Sequence, residues 1–355
     1  CCSGSVPGPV SCTKAQAMYV TPRPNVHDDP LFAVRLGVVG MLAYAAIPLL
    51  NPVLPPIVAA LPVGLIAAQR KAFNPLRAIA GPVALIVLTY VMAWLVNQLR
   101  PMPLVYVGAM WLTYFIGFRM ILQSGAQEGM LLVIVAVLLS VMGMNGSATV
   151  DAMRDGFVQA ALVALVLGPL AYLLFPARTA ELHVDDPVPG NGNVTLGAAI
   201  RASVLLGLSF WLYAVMQPSD MMMAVIAAMV LVFPTRRAVF FEARQRVRAT
   251  FYGSAVGFAV LTLFTLSPHL PILLGLIFLG GLWLGGRMLY GTHPSMVYQY
   301  AFSVALALIA GALSAQDPAY VTFTRIVLTL TGAFVAAFAV ALLDALSQWR
   351  ERAIA

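Results

Sequence analysis

Long apolar runs constrain this chain most, because they recur from Leu31 almost to the C-terminal end with only short polar breaks. A run of about 18 or more apolar residues can cross the roughly 30 Å hydrocarbon core of a bilayer as an α-helix. Apolar residues make up 61% of the chain and charged residues 9%, whereas soluble domains carry about 25% charged residues. The sequence therefore predicts an all-α, polytopic membrane protein with most of its residues in lipid.

The breaks between these runs predict about twelve membrane helices, arranged as six plus six. The longest interior polar stretch, Arg178 to Val194, is rich in acidic residues, proline and glycine, which is typical of a flexible connector. The predicted helices cover 31–50, 52–69, 78–98, 102–122, 128–146, 153–175, 197–216, 218–233, 249–267, 270–289, 295–314 and 320–346. The predicted organisation is a polar cytoplasmic leader at 1–30, a first membrane repeat at 31–176, a cytoplasmic connector at 177–196, a second membrane repeat at 197–347 and a cytoplasmic tail at 348–355.

Lys and Arg are distributed unevenly over the predicted loops. With the N-terminus in the cytoplasm, all of the 20 Lys and Arg residues except Arg100, Arg154 and Arg325 fall on the cytoplasmic side. Basic loops are retained in the cytoplasm, so we predict that both termini lie there. Residues 1–17 carry all three cysteines and precede Met18, a candidate natural start.

The two predicted halves resemble each other at individual positions. Arg35 precedes Arg201 by 166 residues, the same separation that relates Arg70 to Arg236, and Arg119 returns in similar sequence as Arg287. Each half has an even number of helices and begins on the same side of the membrane. The pattern therefore predicts two parallel repeats related by an axis along the membrane normal.

Motifs of catalysis and of cofactor binding are missing from the sequence. The four histidines are isolated from one another, and no Gly-rich phosphate loop or nucleophile elbow is present. We therefore expect no enzymatic activity, no metal and no cofactor. The net charge of +7 resides in predicted membrane loops rather than on a solvated face, so nucleic acid is not an expected partner.

Helix two and its repeat mate, helix eight, are the predicted lining of a central site. Helix two contains Pro62 among four prolines, and helix eight is a short segment bounded by Pro218 and Pro234 that contains Met222. Interrupted apolar segments at corresponding positions of two halves tend to line a transporter's binding site. Kinked packing without any ligand is the alternative interpretation.

Four repeated arginines, Arg35, Arg119, Arg201 and Arg287, lie near the predicted cytoplasmic ends of helices. A guanidinium group binds a carboxylate through two parallel hydrogen bonds, so these residues are candidates for holding an organic anion. Contact with lipid phosphates, or fixing the topology, is the alternative role.

Aromatic and titratable residues complete the list of candidates. Trp111 and Tyr114 belong to an aromatic stripe on helix four, which could stack on an aromatic substrate or pack against neighbouring helices. Asp344, inside an apolar run, and His293, before a proline, are the candidates for proton coupling. A structural ion pair for Asp344 and a loop cap for His293 are the alternatives.

These elements resemble the fusaric acid resistance, or aromatic acid exporter, superfamily of bacterial inner-membrane proteins. The resemblance rests on the Arg-containing helix from Leu31 to Leu50, the Pro-rich helix two with its Arg70–Lys71 loop, the segment Arg248 to Gly257 (RATFYGSAVG) and the twofold repeat. It implies efflux of hydroxylated aromatic carboxylates, driven by the proton motive force. For Gram-negative members it also implies a periplasmic adaptor of the membrane-fusion type. Larger relatives carry a cytosolic domain between the halves, where this chain has only the connector.

The leading hypothesis is a secondary exporter of aromatic carboxylic acids or related amphipathic organic anions, in a bacterial inner membrane. A non-transporting membrane scaffold or assembly subunit is the second hypothesis, and a membrane-embedded lipid-modifying enzyme is the third. Expected partners are a small organic anion and the lipid bilayer, and a homo-oligomer is left open.

Overall fold

The computed structural model describes residues 27–52, 54–68, 72–124, 127–179, 194–215, 236–314 and 338. Within these ranges the chain forms helices joined by short connections. The helices are α1 (Phe32–Ala45), α2 (Ile47–Leu50), α3 (Pro55–Ala68), α4 (Pro75–Leu99), α5 (Pro103–Ser124), α6 (Gln127–Asn145), α7 (Ser147–Leu174), α8 (Val194–Val215), α9 (Arg236–Leu266), α10 (Leu270–Tyr290) and α11 (Ser295–Ser314).

Most of these helices are built to cross a membrane. Eight spans in the described ranges are long and apolar enough to do so, and α1 and α2 together form the first of them. The helices α3 and α6 are apolar but shorter. The chain is thus a multi-pass membrane protein. The predicted helix 218–233 lies outside the described residues, as does 320–346 apart from Phe338.

The start of α9 differs from the prediction. This helix begins at Arg236, whereas hydropathy places its start at 249, and it runs for 31 residues. The segment from 236 to 248 is basic, which removes it from an apolar window, yet it contains neither proline nor glycine to end a helix. A helix of this length spans about 46 Å, so α9 extends beyond the hydrocarbon core.

Among the described helices, the two predicted halves do not pack as separate bundles. Helix α1 lies chiefly against α10, and α8 lies chiefly against α5. One buried apolar core is formed mainly by α4 to α8, and a second by α1, α3, α9, α10 and α11 with the end of α7. The first helix of each predicted half therefore packs against the fourth predicted helix of the other half.

Glycines set the close approach of α1 and α10. A Cβ atom built on Gly281 would lie 2.7 Å from the Cα atom of Gly37, and one on Gly285 would lie 2.8 Å from the Cα atom of Ala33. Small residues four positions apart on both helices let the two backbones touch, which is how apolar helices associate in lipid without a hydrophobic driving force. These contacts also show that α1 and α10 run antiparallel.

Candidate functional site

We call the end of the bundle that carries Arg35, Arg119, Arg201 and Arg287 the basic end. At this end the Arg35 side chain is fully buried. Its Nη1 donates to Oδ1 of Asp29 at 3.2 Å and to the carbonyl of Phe175 at 3.0 Å, and its Nη2 donates to Oδ2 of Asp29. The guanidinium carbon lies 3.9 Å from the ring centre of Tyr172. Arg35 therefore joins the segment before α1 to the end of α7, and its charge faces a carboxylate of the chain itself.

Asp29 is the acidic partner in this cluster. Burial raises the pKa of its carboxyl, and the Arg35 guanidinium opposes that rise. The adjacent Asp28 carbonyl accepts backbone hydrogen bonds from Arg178 and Thr179 at 3.0 and 3.2 Å. The start of the connector is thus fastened to the same segment. Sequence reasoning missed Asp29, because the residue falls in the polar stretch treated as a leader.

Arg201 is also fully buried, at the start of α8. Its Nη1 donates to the carbonyl of Gly197 at 3.0 Å, within the same helix. Thr195 stands 166 residues after Asp29, so the second half has no acidic residue at that matching position. Both arginines of this repeated pair lie inside the bundle.

Arg119 and Arg287 occupy a different setting. Both side chains are exposed, at the ends of α5 and α10. The guanidinium carbon of Arg287 lies 5.5 Å from the ring centre of Trp283 in the same helix. Of the four repeated arginines, these two lie at the surface of the bundle.

Pro62 lies buried in α3, which packs against α1, α7 and α11. From Pro55 to Ala67 no side chain is exposed, so this helix occupies the interior of the bundle. The amide of Gln299 in α11 donates to the Gly64 carbonyl at 3.4 Å. Met222, in helix eight, lies outside the described residues.

The aromatic stripe on α5 makes contacts between helices. The hydroxyl of buried Tyr114 lies 2.5 Å from the hydroxyl of Ser140 in α6. The indole of Trp111 donates to Ser203 in α8 at 3.0 Å and stacks on Phe115 with ring centres 5.4 Å apart. The polar atoms of both candidates are therefore engaged by neighbouring helices.

His293 lies in the loop between α10 and α11. Its ring centre is 5.9 Å from that of Tyr252 in α9 and 6.2 Å from that of Tyr298 in α11. Burial, together with the nearby Arg248 guanidinium, lowers the pKa of His293. Asp344, the other proton-coupling candidate, lies outside the described residues.

A comparison with known families found a match in the second half of the chain. Residues 208–339 match the family described as fusaric acid resistance protein-like. The chain is therefore similar to that family over this segment. The fusaric acid resistance-like region contains α9, α10 and α11 completely, and with them the cluster around His293. No curated protein and no solved structure matches the chain.

Proposed function

We propose that this chain is a secondary efflux transporter for aromatic carboxylic acids or related amphipathic organic anions. It works in a bacterial inner membrane and draws on the proton motive force. The observation that carries the proposal is the fusaric acid resistance-like region within a multi-pass bundle of apolar helices.

Two of the four repeated arginines support an anionic substrate. Arg35 and Arg201 are buried and serve the packing of α1 and α8, whereas Arg119 and Arg287 expose their guanidinium groups at the basic end. Exposed guanidinium groups of like sign raise the local concentration of anions and speed their arrival. We assign this attracting role to Arg119 and Arg287.

The test uses purified protein in liposomes loaded with radiolabelled 4-hydroxybenzoate. Release should exceed that from protein-free liposomes, and Arg119→Ala combined with Arg287→Ala should lower the excess about tenfold or more while the protein still inserts. A control double variant, Arg154→Ala with Arg178→Ala, removes equal charge elsewhere and should release normally. Normal release by Arg119→Ala with Arg287→Ala would rule out their role, and the scaffold hypothesis expects no release even from the wild type.

We further propose that the two halves are parallel repeats that exchange their first helices. Ser203 of α8 stands at the position that Gly37 holds in α1, and it contacts Trp111 of α5. Arg119 and Arg287 are 168 residues apart, so Trp111 corresponds to Leu279. Gly37 lies against Phe278 and Leu282 of α10, which flank that position. These reciprocal contacts support a twofold relation between the halves.

Cross-linking of paired cysteines tests the exchange of the first helices. The native cysteines are replaced, cysteine pairs are introduced, and a short bifunctional thiol reagent is added. Gly37→Cys with Phe278→Cys should cross-link, as should Ser203→Cys with Met110→Cys. The pair Gly37→Cys with Met110→Cys, inside one predicted half, should not. The reverse pattern would mean that each half packs on itself.

A further inference from the structure

The first turns of α11 and the facing side of α9 form a polar cluster at the basic end, in which two buried polar groups lack a hydrogen-bond partner among the described residues. Its members are Gln245, Arg248 and Tyr252 of α9, His293 of the preceding loop, and Ser295 and Tyr298 of α11. We propose that this cluster binds the carboxylate and ring of an aromatic acid. The inference rests on the proposed function and names the site where the substrate is held.

Two buried polar groups in the cluster have no hydrogen-bond partner. Gln245 is 3% exposed and Ser295 is 0% exposed, and neither the Gln245 Nε2 nor the Ser295 Oγ has a partner within the described part of the chain. Burying an unpaired donor is unfavourable, and nearly all buried polar groups of native proteins have a partner, so these two exceptions call for an explanation. Both can donate a hydrogen bond to an oxygen atom of a ligand.

The register of α9 and α11 brings these groups to the same depth. A Cβ atom on Gly253 would meet the Ala301 carbonyl, and one on Gly257 would meet the Ala305 backbone, so the two helices run parallel and in step. Two turns earlier, the same offset of 48 residues sets Gln245 level with His293. Ser295 begins α11, where backbone N–H groups point outward and the helix dipole favours an anion.

Charge and aromatic surface complete the cluster. Gln245, Arg248 and Tyr252 are spaced by three and four residues, so they share one face of α9. Arg248 lies close enough to His293 to act on it electrostatically, and the Tyr252 ring lies 5.7 Å from that of Tyr298. The segments 244–252 and 291–300 contain three arginines and no Asp or Glu. A carboxylate fits the donors, and the tyrosine rings suit an attached aromatic ring.

Equilibrium binding to the purified full chain in lipid nanodiscs tests the site, with radiolabelled 4-hydroxybenzoate as the probe. Arg248→Gln and Gln245→Glu should each raise Kd about tenfold or more, because each removes or opposes a charge-assisted hydrogen bond. Arg178→Gln removes a charge from an exposed position at the same end, and its Kd should stay within about twofold of wild type. Competition by the neutral 4-hydroxybenzyl alcohol should be at least about tenfold weaker than by unlabelled acid.

Size-exclusion profiles establish that each variant is folded before its Kd is compared. If Arg248→Gln fails to fold, Gln245→Glu and the smaller change Ser295→Ala decide the matter. Wild-type Kd values in those variants would overturn the site, even where liposomes release the acid normally. Loss of binding in the variants without any release from wild-type liposomes would uphold the site and refute the transport proposal.

Discussion

Replacing Asp29 with Asn tests the buried ion pair at the basic end. The substitution keeps the shape of the side chain but removes its negative charge, and it leaves the Arg35 guanidinium buried without a counter-charge. Arginine stays protonated, so it cannot shed its charge in response. For charges 3.2 Å apart, an effective dielectric constant of about 20 gives an attraction of about 5 kcal/mol. Breaking one side of a buried pair costs about 3–5 kcal/mol, and we expect a loss of that size.

Equilibrium unfolding of the purified protein in detergent, followed by circular dichroism, measures this loss. Asp151→Asn is the matched control, because Asp151 pairs with Arg154 at 3.0 Å with its side chain 45% exposed. That pair should contribute only about 0–1 kcal/mol. Asp29→Leu combined with Arg35→Met replaces both charges by apolar groups and should cost less than Asp29→Asn. Equal losses for Asp29→Asn and Asp151→Asn would refute the buried ion pair.

Two further predictions concern packing and pH. Gly281→Ala places a methyl group 2.7 Å from the Cα atom of Gly37, so the unfolding free energy should fall by about 1–3 kcal/mol. Gly275→Ala in the same helix meets nothing within 4 Å and should not destabilise; equal losses in the two variants would contradict the close approach of α1 and α10. Folding lowers the pKa of His293, so the unfolded chain binds a proton at this residue more readily than the folded chain does. The folded state should therefore lose stability as the pH falls below about 6.5. The wild type should therefore lose more stability on acidification than His293→Gln, and identical pH dependence would contradict the lowered pKa.

Within the described residues, hydropathy predicts the membrane helices well because it is a local property of the chain. Helix α11 covers Ser295–Ser314 as predicted, and α10 ends at Tyr290. Hydropathy fails at the start of α9, where arginines continue a helix beyond the apolar segment. The resemblance to the fusaric acid resistance-like family was also visible, because the RATFYGSAVG segment lies inside the matched region.

Helix partners and side-chain contacts could not be read in the same way. In lipid, the choice of partner depends on shape, and apolar periodicity does not reveal that Gly281 of α10 meets Gly37 of α1. Arg35 and Arg119 were equivalent candidates in the sequence, yet one is buried against Asp29 and the other is exposed. Gln245 and Ser295 carry no motif, and only their burial without partners distinguishes them.

Uphill movement of substrate tests the central claim most directly. Liposomes containing only this protein receive an imposed proton gradient, and uptake of radiolabelled 4-hydroxybenzoate is followed over time. A proton-driven transporter should accumulate the acid above its external concentration, to a level that collapses when an uncoupler is added. Accumulation no greater than in protein-free liposomes under the same gradient would contradict the assignment.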